Sequence, residues 1–398
     1  MQNQIEKLYN ISKKSERLII GLMSGTSMDG LDIALCKVKN SGAATTVDVL
    51  NFKTADFTDE FRAKIKAIFS TRDADLQLVT LMNEEVALVH ANLINDAIKS
   101  WGYNKEDIDL IASHGQTIFH APKSLHKMDE YPNATLQIGD GDHIAVKTGI
   151  VTIADFRQKH IAAGGEGAPL AVYGDYLIFS KKDEDRIMLN IGGIANFTYL
   201  PGSLDANEIF STDVGPGNTL MDQFMQKYYN QFYDKGASVS LSGINNDDLL
   251  DELLKCSFFD ADFPKTTGPE LFNLAYLENA QRISKTEKIS NEDVMATLCH
   301  FSAKTISAAI KRCFSNDASC NVFMSGGGMH NPLLVKLLKT ELPKSKFTTT
   351  HDLNIHPDAK EAVLFAVLAN ETIVGNKIKF GDKQGVPSIC MGKICLPD

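Results

Sequence analysis

Residues 186–200 read RIMLNIGGIANFTYL, and residues 18–38 read LIIGLMSGTSMDGLDIALCKV. Each is an apolar run, a turn rich in glycine, and a second apolar run, so each predicts two strands joined by a polar loop. The strands are expected over 18–21 and 31–38 in one, and over 187–191 and 196–200 in the other. Further strand-like runs at 108–112, 151–154 and 321–324 alternate with helical patterns, which is the α/β signature. Thr58 opens a helix whose buried stripe is Phe61, Ile65, Ile68 and Phe69. Other helices are predicted over 76–99, 219–229, 247–255, 291–314, 332–339 and 360–374. A chain of 398 residues suits two domains. With no low-complexity linker, the expected division is 1–180 plus about 375–398 for the first and 181–374 for the second.

The chain is 43% hydrophobic and 23% charged, enough apolar surface for real cores. Fifty acidic against 40 basic side chains give a net charge of −10, without the basic footprint that a phosphate backbone requires, so nucleic acid is not an expected partner. A small anionic ligand stays open, because backbone amides bind phosphate whatever the global sign. The seven cysteines include no Cys-x-x-Cys and read as buried thiols of a reducing compartment. Residues 1–17 are polar, the apolar run at 18–23 is too short for a signal-peptide core, and no stretch reaches membrane length. A cytoplasmic protein that does not touch membrane is expected.

Glycine concentrates in five polar loops: GTSMDG at 25–30, AAGGEGAP at 162–169, IGGIAN at 191–196, DVGPGN at 213–218 and SGGGMHN at 325–331. Such loops bring backbone amides close to a ligand, so five of them in a twofold repeat point to phosphate; each alone would read as a tight turn. Neither a Walker loop nor a Gly-x-Gly-x-x-Gly after a strand is present. Gly25, Thr26, Ser27 and Gly30 supply donors beside one carboxylate, Asp29, a mixture that suits a polyphosphate with Mg2+. Asp29 also reads as a turn-former. Asp213 is a second candidate for the cation or, equally, a helix cap, and Gly215, Gly217 and Asn218 follow it. Gly326, Gly327 and Gly328 allow a flat group such as adenine to lie on bare backbone, unless they serve packing. Away from these, Ser113, His114, Gly115, Gln116 and Thr117 are expected to end one strand, and Asp155, Arg157 and His160 to follow another. Were those strands neighbours, the groups would converge on a hydroxyl-rich ligand, with Gln137, Asp140 and Asp142 leading into the same region.

Taken in order, GLMSGTSMDGLD, SHGQTIFH, TLQIGD, ADFR with AAGGEGAPL, NIGGIANFTYLP, GPGNTLMD, SGGGMHNP and KEAVLFAVLA resemble the anhydro-N-acetylmuramic acid kinase family, a branch of the acetate and sugar kinase, chaperone and actin superfamily. The resemblance implies two actin-like, ribonuclease H-like domains with a cleft between them, ATP and Mg2+ as cofactors, an amino sugar as partner, and a homodimer. It implies a reaction in which water opens a 1,6-anhydro bridge as the γ-phosphoryl of ATP moves to O6. Residues 25–29 would hold the polyphosphate and cation, Gly192, Gly193 and Asn196 the phosphates, Gly326, Gly327 and Gly328 the adenosine, and Gln116, Gln137, Arg157 and Glu361 the sugar.

Two positions depart from the family pattern. His160 fills the slot of the aspartate that activates water, and Val214 replaces a threonine, removing one hydroxyl near the phosphates. Neutral imidazole can accept a proton, yet it lacks the negative charge that favours an oxocarbenium-like transition state. Three outcomes follow as expectations: a slower hydrolysing kinase, a kinase for a free sugar hydroxyl, or a binding protein without turnover.

Overall fold

Alternating apolar residues after Ser15 build three antiparallel strands, β1 (Glu16–Ser24), β2 (Gly30–Lys39) and β3 (Thr46–Asp56). The computed structural model describes residues 2–25, 28–168, 170–314, 319–375 and 386–398. Thr26 and Ser27, both expected in the phosphate loop, lie outside the described residues. The chain divides into two units, Met1–Phe179 with Asn354–Asp398, and Ser180–Leu353.

In the first unit β4 (Leu110–Ala121) lies parallel to β1, β5 (Ala134–Ile138) pairs antiparallel with the second half of β4, and β6 (Thr152–Ala154) runs parallel to its first half. The last strand, Lys393–Cys395, closes the edge beyond β6. One face of the sheet buries Ile20, Leu22, Leu31 and Ile33 with Met82, Val86 and Ile94 of the helix Leu76–Ser100. The helix Lys360–Val374 covers the other face, so closely that a Cβ on Gly21 would lie 1.9 Å from the Ala362 carbonyl oxygen. A buried polar tie joins them: Arg17 Nε donates to Asn370 Oδ1 at 2.7 Å, and the neighbouring Glu371 carboxylate accepts the Gly42 N–H at 3.0 and 3.1 Å.

The second unit has β7 (Arg186–Ile191), β8 (Ile194–Leu200) and β9 (Phe210–Pro216) as an antiparallel meander, then β10 (Asn321–Ser325) parallel to β7 and β11 (Lys346–Thr349) parallel to β10. Its core sets Leu189, Ile191, Phe197 and Val214 against the helices Thr219–Tyr229 and Asn291–Lys311. The strand orders β3-β2-β1-β4-β6 and β9-β8-β7-β10-β11 match element for element, each with three antiparallel strands followed by two parallel ones. This is the ribonuclease H-like arrangement, present twice.

Two expectations need correcting. The chain rejoins the first unit at Asn354, not near 375, because the helix Lys360–Val374 packs on β1, β2 and β4. And residues 113–117 do not end a strand: β4 runs on to Ala121, since β5 supplies backbone partners for its second half. The seven cysteines are free thiols; Cys36, Cys299 and Cys320 are buried and the other four partly so. Among the described residues no helix is long and apolar enough to cross a membrane.

Candidate functional site

In the second unit, register lines up polar side chains. Ser325 pairs with Asn190, Asn190 with Asn196, and Asn196 with Asp213, so one residue from each of β10, β7, β8 and β9 falls in a single row. Residues paired across strands share a face, and Leu189, Ile191, Ala195 and Val214 turn the opposite way into the core. Val214 therefore lies with the apolar packing, and its difference from threonine leaves the polar row untouched.

Three glycine segments lock onto the end of this row. The Gly193 carbonyl accepts the N–H groups of Gly217 at 2.8 Å and Thr219 at 3.0 Å, while the Gly192 carbonyl accepts that of Asn218 at 2.9 Å. A Cβ on Gly217 would stand 2.3 Å from the Gly192 oxygen, and one on Gly326 (φ +81°) 2.6 Å from Asn190 Oδ1. Gly328 lies against Ile191, where a Cβ would come within 2.2 Å. Only glycine permits these approaches. Gly215, also with positive φ, turns β9 toward Asn218, the residue that opens the helix Thr219–Tyr229. Bare amides, a helix N-terminus and side-chain amides thus come together, a donor set made for phosphate oxygens. An open depression of about 580 Å³, lined by Met329, His330, Pro332, Val335, Lys336, Lys339 and Thr340, adjoins the segment with Gly326, Gly327 and Gly328.

Asp213 is not a helix cap. Its backbone N–H bonds the Lys265 carbonyl and its Oδ2 accepts the Thr267 N–H, both at 2.9 Å, and burial raises its pKa. In the first unit Asp29 is exposed after Met28, which has φ 57°, and its carbonyl accepts the Phe57 N–H at 2.9 Å. Gly30 has no room for a Cβ against the Ala55 carbonyl. Among the described residues no three His, Cys, Asp or Glu side chains cluster as a metal site. Carboxylates that do not cluster fit Mg2+, which keeps most of its waters and takes further oxygens from phosphate.

The groups expected around a sugar divide into those that face outward and those that do not. Gln116 is wholly buried: Ser24 Oγ donates to its Oε1 at 2.6 Å and its Nε2 donates to the Gly25 carbonyl at 3.3 Å, so it clamps the loop at 25–30. His114 is equally buried. Arg157 Nε donates to its Nε2 at 2.9 Å, and since guanidinium can only donate, the ring proton sits on Nδ1 and is given to the Gly115 carbonyl at 2.9 Å. Burial and the Arg157 charge push the His114 pKa down to about 3. His114 is thus a neutral acceptor that aims Arg157. Asp155, in left-handed conformation, is ion-paired with Lys393.

Gln137 donates from Nε2 to Thr117 Oγ1 at 3.1 Å and Thr135 Oγ1 at 2.8 Å, while its buried Oε1 has no partner. Glu361, at the first turn of the helix Lys360–Val374, is reachable by water, yet protein around it raises its pKa, with Lys360 and Arg157 acting in opposition. His160 is wholly buried in the helix Phe156–Ala162, with its ring edge-on to Tyr173 at 5.6 Å. Its Nδ1 accepts the Gly167 N–H at 3.0 Å, and burial with Arg157 lowers its pKa to about 4. The ring also fills the space of a Cβ on Gly165, so it pins the loop at 164–167.

Sequence reading missed Asn190 and Ser325. The available signal was a lone polar residue in the apolar run RIMLNI, but only strand register shows what it faces.

Residues 17–386 match the family described as "Anhydro-N-acetylmuramic acid kinase". A protein of that name from Pseudoalteromonas atlantica is 54% identical over 401 residues, covering all of both chains. One from Pseudoalteromonas translucida is 53% identical with the same coverage, and one from Caldanaerobacter subterraneus subsp. tengcongensis is 38% identical over 98% of this chain and all of its own.

Proposed function

Since the chain belongs to the anhydro-N-acetylmuramic acid kinase family, we propose that it transfers the γ-phosphoryl group of ATP to O6 of 1,6-anhydro-N-acetylmuramic acid while water opens the anhydro bridge. Phosphoryl transfer asks of a protein chiefly positioning and charge neutralisation. The observation that carries the reading is the polar row Ser325, Asn190, Asn196 and Asp213 with glycine segments locked onto its end. Gly192 and Gly193 offer amides to the phosphates, Gly215, Gly217 and Asn218 build the turn that holds those two glycines in place, Gly326, Gly327 and Gly328 offer bare backbone to the adenosine, and Gly25 and Gly30 shape the loop that carries Asp29. Asp213 in the second unit and Asp29 in the first are each candidates to hold Mg2+, directly or through water, and the cation would neutralise charge on the phosphates.

For the sugar, Arg157 supplies fixed donors aimed by His114, and Gln137, half-buried and paired with Thr117 across the strands, is a further contact on the resemblance. Gln116 and Asp155 act indirectly, the first through the loop it clamps and the second through Lys393. Of the three outcomes raised by His160, the hydrolysing kinase is favoured, because relatives 54% and 53% identical over full length carry that name. A homodimer in the cytoplasm is proposed on the resemblance alone.

The test is product analysis by mass in 18O-labelled water, with Mg-ATP and the anhydro sugar. The expected product gains one phosphoryl group and one water, with the label at C1. Turnover confined to open-ring amino sugars, or phosphorylation without incorporated water, would refute the reading.

A further inference from the structure

We propose that Lys265 is a positioning residue for Asp213: it pins a short segment whose backbone turns one oxygen of that carboxylate outward, toward the Mg2+ that accompanies ATP. The proposal rests on the reading of Asp213 as a cation candidate given above. The need for a brace begins in the sheet. Ala195 pairs with Gly215 but Asn196 with Asp213, so β9 holds one residue more than β8 at this point, a bulge. A bulge interrupts the ladder and bends the strand that carries it, and β9 is also the edge strand of its sheet. The sheet alone fixes Asp213 poorly.

The segment FPKTT at 263–267 supplies what the ladder lacks. The Lys265 N–H donates to Thr212 Oγ1 at 3.0 Å, and the Lys265 carbonyl accepts the Asp213 N–H at 2.9 Å. Two residues on, the Thr267 N–H donates to Asp213 Oδ2 at 2.9 Å. Backbone and side chain of Asp213 are thus held by one neighbour. A carboxylate gripped at one oxygen no longer turns freely, so the direction of the other is set. Among the described residues nothing is hydrogen-bonded to Oδ1, which is left for a ligand.

Lys265 keeps this segment in place. Its half-buried ammonium has no carboxylate partner among the described residues. Instead it donates to the carbonyls of Phe258 at 2.6 Å and Phe259 at 3.1 Å, and it lies over the rings of Phe258 and Phe263 at 4.4 and 5.4 Å. One side chain therefore closes the loop 258–265 onto itself. Phe263 seats the loop on the sheet, stacking on Phe210 at 5.4 Å and meeting Phe197 edge-on at 6.0 Å. Drawing an ammonium out of water costs free energy, which carbonyl oxygens and aromatic faces offset here. What the arrangement secures is the Lys265 backbone, and through it the contacts to Asp213.

The experiment compares the full-length wild-type chain with Lys265→Met, which keeps the packing stem and loses the ammonium, and with Lys265→Arg, Asp213→Asn and the double variant of Lys265→Met with Asp213→Asn. Two quantities are read: the free Mg2+ that gives half-maximal turnover, and calorimetric binding of the β,γ-methylene analogue of ATP with and without Mg2+. Lys265→Met is expected to raise the half-maximal Mg2+ roughly 10-fold to 100-fold, as loss of a group that orients a metal ligand does. It should also lose the Mg2+-dependent part of the analogue's affinity, while the metal-free analogue and the anhydro sugar bind as in the wild type. Lys265→Arg should keep most of the Mg2+ response. With Asp213→Asn already present, Lys265→Met should add no further loss. Should circular dichroism show Lys265→Met unfolded, Lys265→Gln, which keeps a donor for one carbonyl, takes its place with the same expectation at smaller size. A wild-type Mg2+ response in the lysine variant, an equal loss of metal-free analogue and sugar binding, or a further loss in the double variant would overturn this proposal alone. A wild-type Mg2+ response in Asp213→Asn would overturn the cation reading of Asp213 and the proposal with it. Absence of Mg2+-dependent turnover and of any ring-opened phosphosugar from the wild-type chain would overturn the kinase reading as well.

Discussion

Replacing His90 by phenylalanine is expected to remove much of the acid sensitivity of the first unit without weakening it at neutral pH. His90 lies in the helix Leu76–Ser100, is 1% exposed, and stacks on Phe57 at 6.0 Å, and neither of its ring nitrogens has a partner. Burial lowers its pKa from 6.5 to about 4. Between those values the unfolded chain binds a proton that the folded chain refuses, so stability is present above 6.5 and drains away as pH falls. Integrated from pH 7 to pH 5, this one group accounts for about 2 kcal/mol. Phenylalanine has no such proton and leaves no unsatisfied polar atom, so at pH 7 the variant should match or exceed the wild type by about 1 kcal/mol. The protein's single tryptophan, Trp101, caps the same helix, so its fluorescence during urea titration follows this unit. Titrations at pH 7, 6 and 5 should give a shallower loss for His90→Phe, by about 2 kcal/mol over the range. Equal slopes for the two proteins would refute the reasoning.

Other outcomes can be checked more briefly. Gly217→Ala forces a Cβ to within 2.3 Å of the Gly192 oxygen, and calorimetry should show Mg-ATP affinity falling at least about tenfold with sugar binding retained. Arg157→Lys keeps the charge but loses the Nε donor that His114 orients, and KM for the sugar should rise roughly 10-fold to 100-fold. Gly21→Ala drives a Cβ into the Ala362 carbonyl, and urea unfolding followed at Trp101 should show a loss of about 1–3 kcal/mol or more.

The paired layout of strand, glycine loop and strand was legible because glycine marks where backbone must come close, and close approach is a local demand. Thr58 and its partner Phe61 formed the expected cap for the same reason. What escaped was set by partners distant in sequence. His114 and Gln116 read as ligand-facing while β4 was taken to stop before them; β5, some twenty residues on, extends the strand and seals them in. The pattern Phe-Arg-x-x-His marked residue 160 as unusual but could not show that Gly167 occupies its lone pair. Asn190 was hidden inside an apolar strand, and its meaning came from Ser325, Asn196 and Asp213 standing level with it. Likewise the helix Lys360–Val374 reads as an apolar helix that could pack in either unit, and only packing on β1 assigns it to the first.

The bond from Arg17 to Asn370 spans 353 positions of the chain, and this has a consequence for biosynthesis. The stretch Ser180–Leu353 is continuous and can collapse once it clears the ribosome, whereas the sheet begun by β1 waits for a helix that is translated only after that stretch. At ordinary elongation rates the interval from residue 179 to residue 374 lasts roughly 10 to 40 s. Through that interval the nascent sheet carries one bare apolar face, so holdase chaperones have long access to the segment that precedes Ser180.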